Sequence, residues 1–429
     1  MTDRTCIIVS PYFPPSALAG VHRARHLANN LPGAGWTPIV VCVDERFYEE
    51  PADPELAKLV DPSVEIVRVE ALDQAHARPF GLGDIGLRGY RGIRRAIANL
   101  MRTRQIDAVL ITGSPFYPML LSNWIRRTFK VPVVLDFQDP WRSDWGDTLP
   151  LLSKGSASHA LSKLLEPRAM GGASHVTTVS AEQARKLVAR YHALGPQDVT
   201  AIPIGSDPAD FEALRRGAAP TTIVIDERRW NLTYPGTIWP LVLPTLEAFL
   251  QGLAAWRARF PDAAANVTVN FIGTTAQPNN TNEYRVMPLA ERAGVADLVN
   301  EVPQRLPYVD ALTALSRSDA GLMLGSEEAH YTASKLSLFL MSERPYLALF
   351  HEQSDAHRSL VKAGGGIALG FARADDLVSR QSELVGALQR LRTQGDAFAP
   401  AAPESYTEYT GASVARRYAA IFDRLMARR

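Results

Sequence analysis

The chain has 429 residues, 46% hydrophobic and 21% charged, which excludes wholesale disorder and predicts two or three domains. Lys plus Arg total 46 against 45 Asp plus Glu, so no basic excess points to a nucleic-acid partner. The two cysteines, Cys6 and Cys42, lie in apolar β-branched runs and read as reduced core residues of a cytosolic protein, and no apolar run reaches the ~18 residues needed to span a bilayer.

Residues 5–10 (TCIIVS) read as a buried strand, entered without a secretory signal. A Pro/Gly loop follows, then a helix from about Gly20 with Val21, Ala24, Leu27, Ala28 and Leu31 on one face. Further strands are expected at 38–43, 64–69, 108–112, 131–136, 175–180 and 199–203, separated by helical stretches; the alternation at 64–69 marks an edge strand. Residues 88–104 form a basic amphipathic stretch in which Arg88, Arg91, Arg94, Arg95, Arg102 and Arg104 interleave with Tyr90, Ile93, Ile97, Leu100 and Met101. Such a face is either solvated or lies on an anionic membrane.

Around 215–229 the pattern lapses into Gly, Ala, Pro and charge, as in a linker. It restarts with strands at 230–234, 267–273, 298–302, 321–324, 346–350 and 366–369, a long helix from about Leu241, and a final helix over about 412–427. Buried strands alternating with helices call for parallel sheets covered on both faces. The expected fold is α/β: two doubly wound Rossmann-like domains, 1–215 and 230–405, joined by a linker at 216–229 and facing across a cleft. A C-terminal helix within 406–429 docks back on the first domain.

Open parallel sheets bind ligands beyond the carboxyl ends of their strands. Four loops stand out there. Residues 11–25 (PYFPPSALAGVHRAR) end with Gly20 at a helix N-terminus, where free amides suit an anion, followed by His22, Arg23 and Arg25. Residues 136–141 (DFQDPW) hold two carboxylates and Trp141, a sugar-stacking ring or a core edge; Asp139 is the better placed to orient a hydroxyl or take its proton. Residues 234–240 (YPGTIWP) contain Gly236 and Thr237, and residues 325–335 (GSEEAHYTASK) contain Glu327, Glu328, Ser334 and Lys335. Lys335 is expected to start a helix running to about Met341, and a cation at the positive end of a helix calls for an anionic partner. No GxGxxG follows the first strand, and no CxxC, HExxH or GxxxxGK[ST] supports metal-centred or P-loop chemistry.

Seven stretches carry a resemblance: YFPPSALAGVHRARHLANNL, GSPFYPMLLSNWIRRTFKVPVVLDFQDPW, HVTTVSAEQARKL, IPIGSDPADF, YPGTIWP, VPQRLPYVDALTALSRSDAGLML and TASKLSLFLMSERPYLAL. In this order they resemble the family-4 retaining glycosyltransferases of the GT-B fold, particularly those that build bacterial surface polysaccharides. The resemblance implies a UDP- or GDP-linked sugar on the second domain, held by Gly236, Thr237, Glu327, Glu328, Ser334 and Lys335. It implies a glycan or lipid-linked glycan acceptor on the first, held by Gly20, Arg23, Arg25 and Trp141, with Asp139 and His22 as the catalytic residues. Transfer would proceed with retention at the anomeric carbon and with no metal or other cofactor.

Two departures stand out. At the family's carboxylate pair this chain has His330 and Leu338, so Glu327 or Glu328 would have to substitute, and no basic residue follows Gly236. A nucleotide-sugar epimerase or hydrolase of the same fold, or a non-catalytic nucleotide-sugar-binding subunit, therefore stays open. The expected location is the cytoplasm, peripheral on the inner face of the plasma membrane through residues 88–104.

Overall fold

The computed structural model describes residues 4–78, 81–143, 150, 153–217, 222, 224–275, 277, 279–329 and 335–428. The chain divides into two compact units, Met1–Ser206 with Tyr409–Arg429, and Asp207–Glu408. The helix Pro208–Arg215 falls in the second unit, where Asp210 accepts a hydrogen bond from Tyr308 Oη at 2.8 Å.

The first unit is built on seven parallel strands: β1 (Arg4–Val9), β2 (Trp36–Val43), β3 (Glu65–Val69), β4 (Ala108–Gly113), β5 (Val133–Phe137), β6 (His175–Thr178) and β7 (Val199–Ala201). Their order is β3-β2-β1-β4-β5-β6-β7. β4, β5 and β6 are buried along their whole length because helices cover both faces. β3 lies at the edge, and its Glu65 and Arg68 are exposed, as its alternating pattern predicts.

One face of this sheet packs against Ile93, Ile97 and Leu100 of the helix Tyr90–Thr103 and Ile125 of the helix Ser122–Phe129. The other carries the helix Val21–Asn30 and the C-terminal helix Gly411–Ala427, through Ala24, Leu27, Val414, Tyr418 and Phe422. Trp36 meets Phe422 edge-on at 5.0 Å and donates from Nε1 to Asp423 Oδ1 at 3.0 Å. Each such large apolar side chain contributes about 1.5–3 kcal/mol on burial, so the C-terminal helix is an integral layer of this unit.

The second unit holds six parallel strands: β8 (Trp230–Pro235), β9 (Val267–Ile272), β10 (Val299–Val302), β11 (Ala320–Leu324), β12 (Tyr346–His351) and β13 (Ile367–Phe371), in the order β10-β9-β8-β11-β12-β13. The long helix Leu243–Arg259 packs against Gln381–Gln394 so closely that a Cβ on Gly252 would lie 2.2 Å from Leu384 Cδ2. Any larger residue there would push the Leu384 side chain aside.

In both sheets the strand order reverses beside the first strand, between β1 and β4 and between β8 and β11. Each reversal leaves a crevice at the carboxyl ends of those strands. Cys6 and Cys42 are free and fully buried, and burial pushes the Cys42 thiol up to about 12. Among the described residues no helix is long and apolar enough to cross a membrane.

Candidate functional site

At the β1/β4 crevice, three loops bring Gly20, Ser114 and Gln138 together. A Cβ on Gly20 would sit 3.5 Å from Ser114 O and 3.7 Å from Gln138 Oε1, and Gln138 Nε2 donates to Gly20 O at 3.2 Å. Just beyond, Asp139 and Trp141 line a cavity of about 460 Å³ shared with Glu166 and Gln183. Phe116 stacks on Trp141 with centroids 5.3 Å apart and planes 9° apart, which fixes the indole's orientation. Asp139 is exposed as a residue, yet neighbouring groups strip water from its carboxyl and raise its pKa.

Gln138 Oε1 and Gln183 Nε2 are buried with no hydrogen-bond partner among the described residues. Buried amide groups rarely stay unpaired, so these two call for water or a ligand. A held indole, an amide donor and acceptor, and a desolvated carboxyl suit the recognition of sugar hydroxyls.

The first helix departs from expectation. Arg23 and Arg25 are neither solvated nor at the surface: both are fully buried. Arg23 Nη1 and Nη2 donate to Pro203 O (2.7 Å) and Ile202 O (2.6 Å), Nε lies 3.3 Å from Asp136 Oδ2, and the guanidinium sits 5.4 Å from the Tyr418 ring centre. Asp136 Oδ1 in turn accepts from Thr177 Oγ1 (2.8 Å) and Tyr418 Oη (2.7 Å). This network ties β5, β6 and the C-terminal helix together, so Arg23 holds the unit's interior. Arg25 Nη2 lies 2.8 Å from His26 Nε2 and 3.4 Å from His22 Nδ1. His22 is half-buried and steadied by that contact.

Arg88 departs in the same way. It is 3% exposed, and it donates to Leu72 O and Phe47 O and pairs with Glu49. It therefore leaves the basic face, where Arg91, Arg94, Arg95, Arg102 and Arg104 stay exposed.

At the β8/β11 crevice, Lys335 forms the N-cap of the short helix Leu336–Met341. The residue is exposed overall, but its ammonium turns inward and donates to Pro235 O at 2.7 Å. A Cβ on Gly236 would lie 2.9 Å from that nitrogen, so glycine leaves the ammonium its room. Loss of water, and the positive charge of Arg305 nearby, push the Lys335 pKa down to about 8. Among the described residues no carboxylate pairs with Lys335.

Arg305 enters from the loop after β10, anchored by its backbone N–H to Gln277 O at 3.1 Å. The same loop is pinned to the end of β9, where Thr275 N donates to Pro303 O at 3.1 Å. Thr237 closes the crevice on the β8 side, its carbonyl accepting from Tyr234 Oη at 3.3 Å. Two cations thus meet beside a glycine turn, with no carboxylate on Lys335 among the described residues, an arrangement suited to an anion with more than one charge.

The acidic residues of the 325–335 loop are placed differently. Glu327 accepts from Ala374 N at 2.8 Å and so caps the helix Ala374–Ser379, while Glu328 donates its N–H to Ser326 Oγ at 3.2 Å. Ser334 and His330 lie outside the described residues. Sequence reasoning missed Glu301, a buried carboxylate that accepts from Thr274 Oγ1 (2.6 Å) and from the N–H groups of Arg285, Val286 and Met287. The sequence signal is a lone acid in the short strand β10, Val-Asn-Glu-Val. Among the described residues no cluster of His, Cys, Asp and Glu is arranged to hold a metal ion.

Comparison with known proteins agrees with this architecture. No curated protein matches the chain in sequence. Solved structures similar over nearly the full length include the N-terminal domain of trehalose-6-phosphate phosphatase from Candida albicans (14% identity, 99% of this chain and 97% of that one, TM-score 0.59). A glycosyltransferase from Rickettsia africae (13%, 99% and 99%, 0.57) and Anabaena HepE in complex with UDP-glucose (11%, 98% and 99%, 0.57) share the fold as well. Residues 19–205 match the glycosyl transferase 4-like domain family. Residues 19–205 therefore carry a glycosyl transferase 4-like domain, and the chain as a whole shares the fold of these structures.

Proposed function

We propose that this chain moves a sugar from a nucleotide-sugar donor, seated at the β8/β11 crevice, to a glycan or lipid-linked glycan acceptor at the Asp139–Trp141 cavity, with retention at the anomeric carbon. The observation that carries the reading is the buried ammonium of Lys335, paired among the described residues with Pro235 O alone and set beside Arg305. A diphosphate supplies the counter-charge that Lys335 lacks among the described residues. Stabilising the departing diphosphate and positioning the acceptor hydroxyl then lower the barrier.

A thermal-shift series tests the donor half, since a ligand stabilises by RT ln(1 + [L]/Kd). Nucleoside diphosphates and nucleotide sugars should raise the melting point; no shift at millimolar concentrations would remove the donor site. Consumption of donor without any acceptor would mark a hydrolase or epimerase instead.

On the acceptor side, Asp139 orients the attacking hydroxyl. Asp139→Asn keeps the shape but loses the charge-assisted hydrogen bond, worth about 1.5 kcal/mol. The acceptor KM should rise about tenfold while donor affinity stays unchanged. Because the Asp139 pKa is raised, wild-type activity should fall on acidification before ordinary carboxylates titrate, and the variant should lose that limb. An unchanged acceptor KM and acid limb would take Asp139 out of the site.

The protein acts at the cytoplasmic face of an anionic membrane through the helix Tyr90–Thr103. Its apolar residues Ile93, Ile97 and Leu100 are spent on the core, so the contact is electrostatic and does not insert. Vesicle binding should require anionic lipid and fade with salt as the Debye length falls from ~10 Å at 0.1 M to ~3 Å at 1 M. Equal binding to neutral vesicles would refute it.

A further inference from the structure

Residues 283–287 (EYRVM) follow β9 in the chain and bring a cation to the turn that holds Gly236. That turn is anchored link by link. Gly236 N donates to Ile272 O at 2.8 Å and Ile238 N to Thr274 O at 3.0 Å, which ties the turn to the end of β9. Arg285 closes the join. Its Nη1 donates to Ile238 O at 2.9 Å and to Thr274 O at 3.3 Å, so one corner of the guanidinium bridges the segments that follow both strands. Nε and Nη2 donate to Glu283 Oε1 at 3.1 and 2.9 Å, which steadies the planar group from its other side.

Arg285 is fixed in turn by Glu301. Oε1 of that carboxylate accepts from Arg285 N at 2.9 Å and Thr274 Oγ1 at 2.6 Å, and Oε2 from Val286 N at 3.0 Å and Met287 N at 2.8 Å. Glu301 is 7% exposed, and a buried carboxylate needs such donors. At the near end of the turn, Pro235 O accepts from the Lys335 ammonium at 2.7 Å. A chain of contacts thus runs from Glu301 through Arg285 and the turn to Lys335.

We propose that Arg285 is a positioning residue for the donor: it holds the 235–238 turn where Pro235 O fixes the Lys335 ammonium, and Glu301 holds Arg285 in place. The proposal rests on the donor reading of the β8/β11 crevice. Both residues act through the turn rather than on the diphosphate. Once the turn is loose, water reaches the ammonium and its pKa rises, while Arg305, the charged neighbour that helps hold it down, is untouched.

Calorimetry of the full-length protein with UDP and with GDP, on both sides of the Lys335 midpoint, tests this. Wild-type affinity should fall as pH rises through about 8. Arg285→Met should weaken binding severalfold and move that midpoint up towards the 10.5 of a solvated lysine. Arg285→Lys, which keeps the charge and one donor, should recover part of both. Glu301→Gln separates geometry from charge: removing the negative charge alone would lower the Lys335 pKa, whereas freeing the turn raises it. A midpoint that climbs in this variant supports positioning, and one that falls removes Glu301 from the proposal. Arg292→Gln deletes an exposed charge on the neighbouring helix Met287–Arg292 and should change neither quantity. If Glu301→Gln fails to fold, the Arg285 variants still decide, because that side chain is partly exposed. UDP or GDP binding with an unmoved midpoint in the Arg285 variants, whether or not affinity drops, overturns the proposal and leaves the donor reading standing. Binding of neither nucleotide to the wild type overturns the donor reading and the proposal with it.

Discussion

Replacing Lys335 with alanine should lower kcat/KM ten- to a hundredfold while the chain stays folded. The ammonium makes one contact, to Pro235 O, and none to a carboxylate among the described residues, so its removal breaks little internal structure. A charge-assisted contact to phosphate is worth roughly 1.5–3 kcal/mol, which sets the size of the loss. Its pKa adds a signature. Near 8, the ammonium of the free protein is mostly charged at pH 7 and mostly neutral at pH 9. Wild-type affinity for a nucleoside diphosphate should therefore fall as pH rises through about 8, with proton uptake on binding, while Lys335→Ala should lack that dependence.

The stability sign runs the other way. The folded pKa lies below the unfolded value of 10.5, so the unfolded chain binds more protons between pH 8 and 10.5, and this group's contribution to stability rises across that window. Calorimetric titration and steady-state kinetics of the two proteins decide the matter. Wild-type affinity and turnover in the variant would remove Lys335 from the donor site.

Arg23→Met should be the most destabilising single change, by roughly 3–5 kcal/mol, because it strands a buried carboxylate. Arg23 and Asp136 side chains are both 0% exposed, and the substitution also leaves Pro203 O and Ile202 O without their donor. Asp136→Asn in the same chain should recover part of the loss, since the uncompensated charge then disappears. Urea unfolding of the single and double variants measures the coupling. A single variant as stable as wild type would show that the pair does not hold the interior.

Why the strands were legible and the arginines were not follows from what each depends on. β4 and β5 are continuous apolar runs, and burial on both faces leaves no other reading of AVLITG or VVLDF. Gly236 and Lys335 stand out as residues of two loops at strand ends, and the structure brings the Lys335 ammonium to 2.7 Å from Pro235 O, beside Gly236. Arg23 and Arg88 look like any helix charge in sequence. Only the fold reveals that Asp136 and Tyr418, far along the chain, surround the first, and that Glu49 and two carbonyls surround the second. Gln183 gave no signal at all, because an unpaired amide is a property of its surroundings. The helix Pro208–Arg215 was read with the first domain because its own pattern does not say which sheet it packs beside.

The place of the helix Gly411–Ala427 sets an order of events. Its Tyr418, Phe422 and Val414 complete the core of a unit whose other residues precede Asp207, and Ser206 N meets Tyr409 O at 2.9 Å where the chain returns. During synthesis all of Asp207–Glu408 emerges before those side chains exist. The second unit, continuous in sequence, can fold as soon as it leaves the ribosome, while the first waits with part of one face of its sheet, the part beside the helix Val21–Asn30, uncovered. The earlier-made half of this protein is thus the later-finished one, and chaperones that shield apolar surface should bind the nascent chain there.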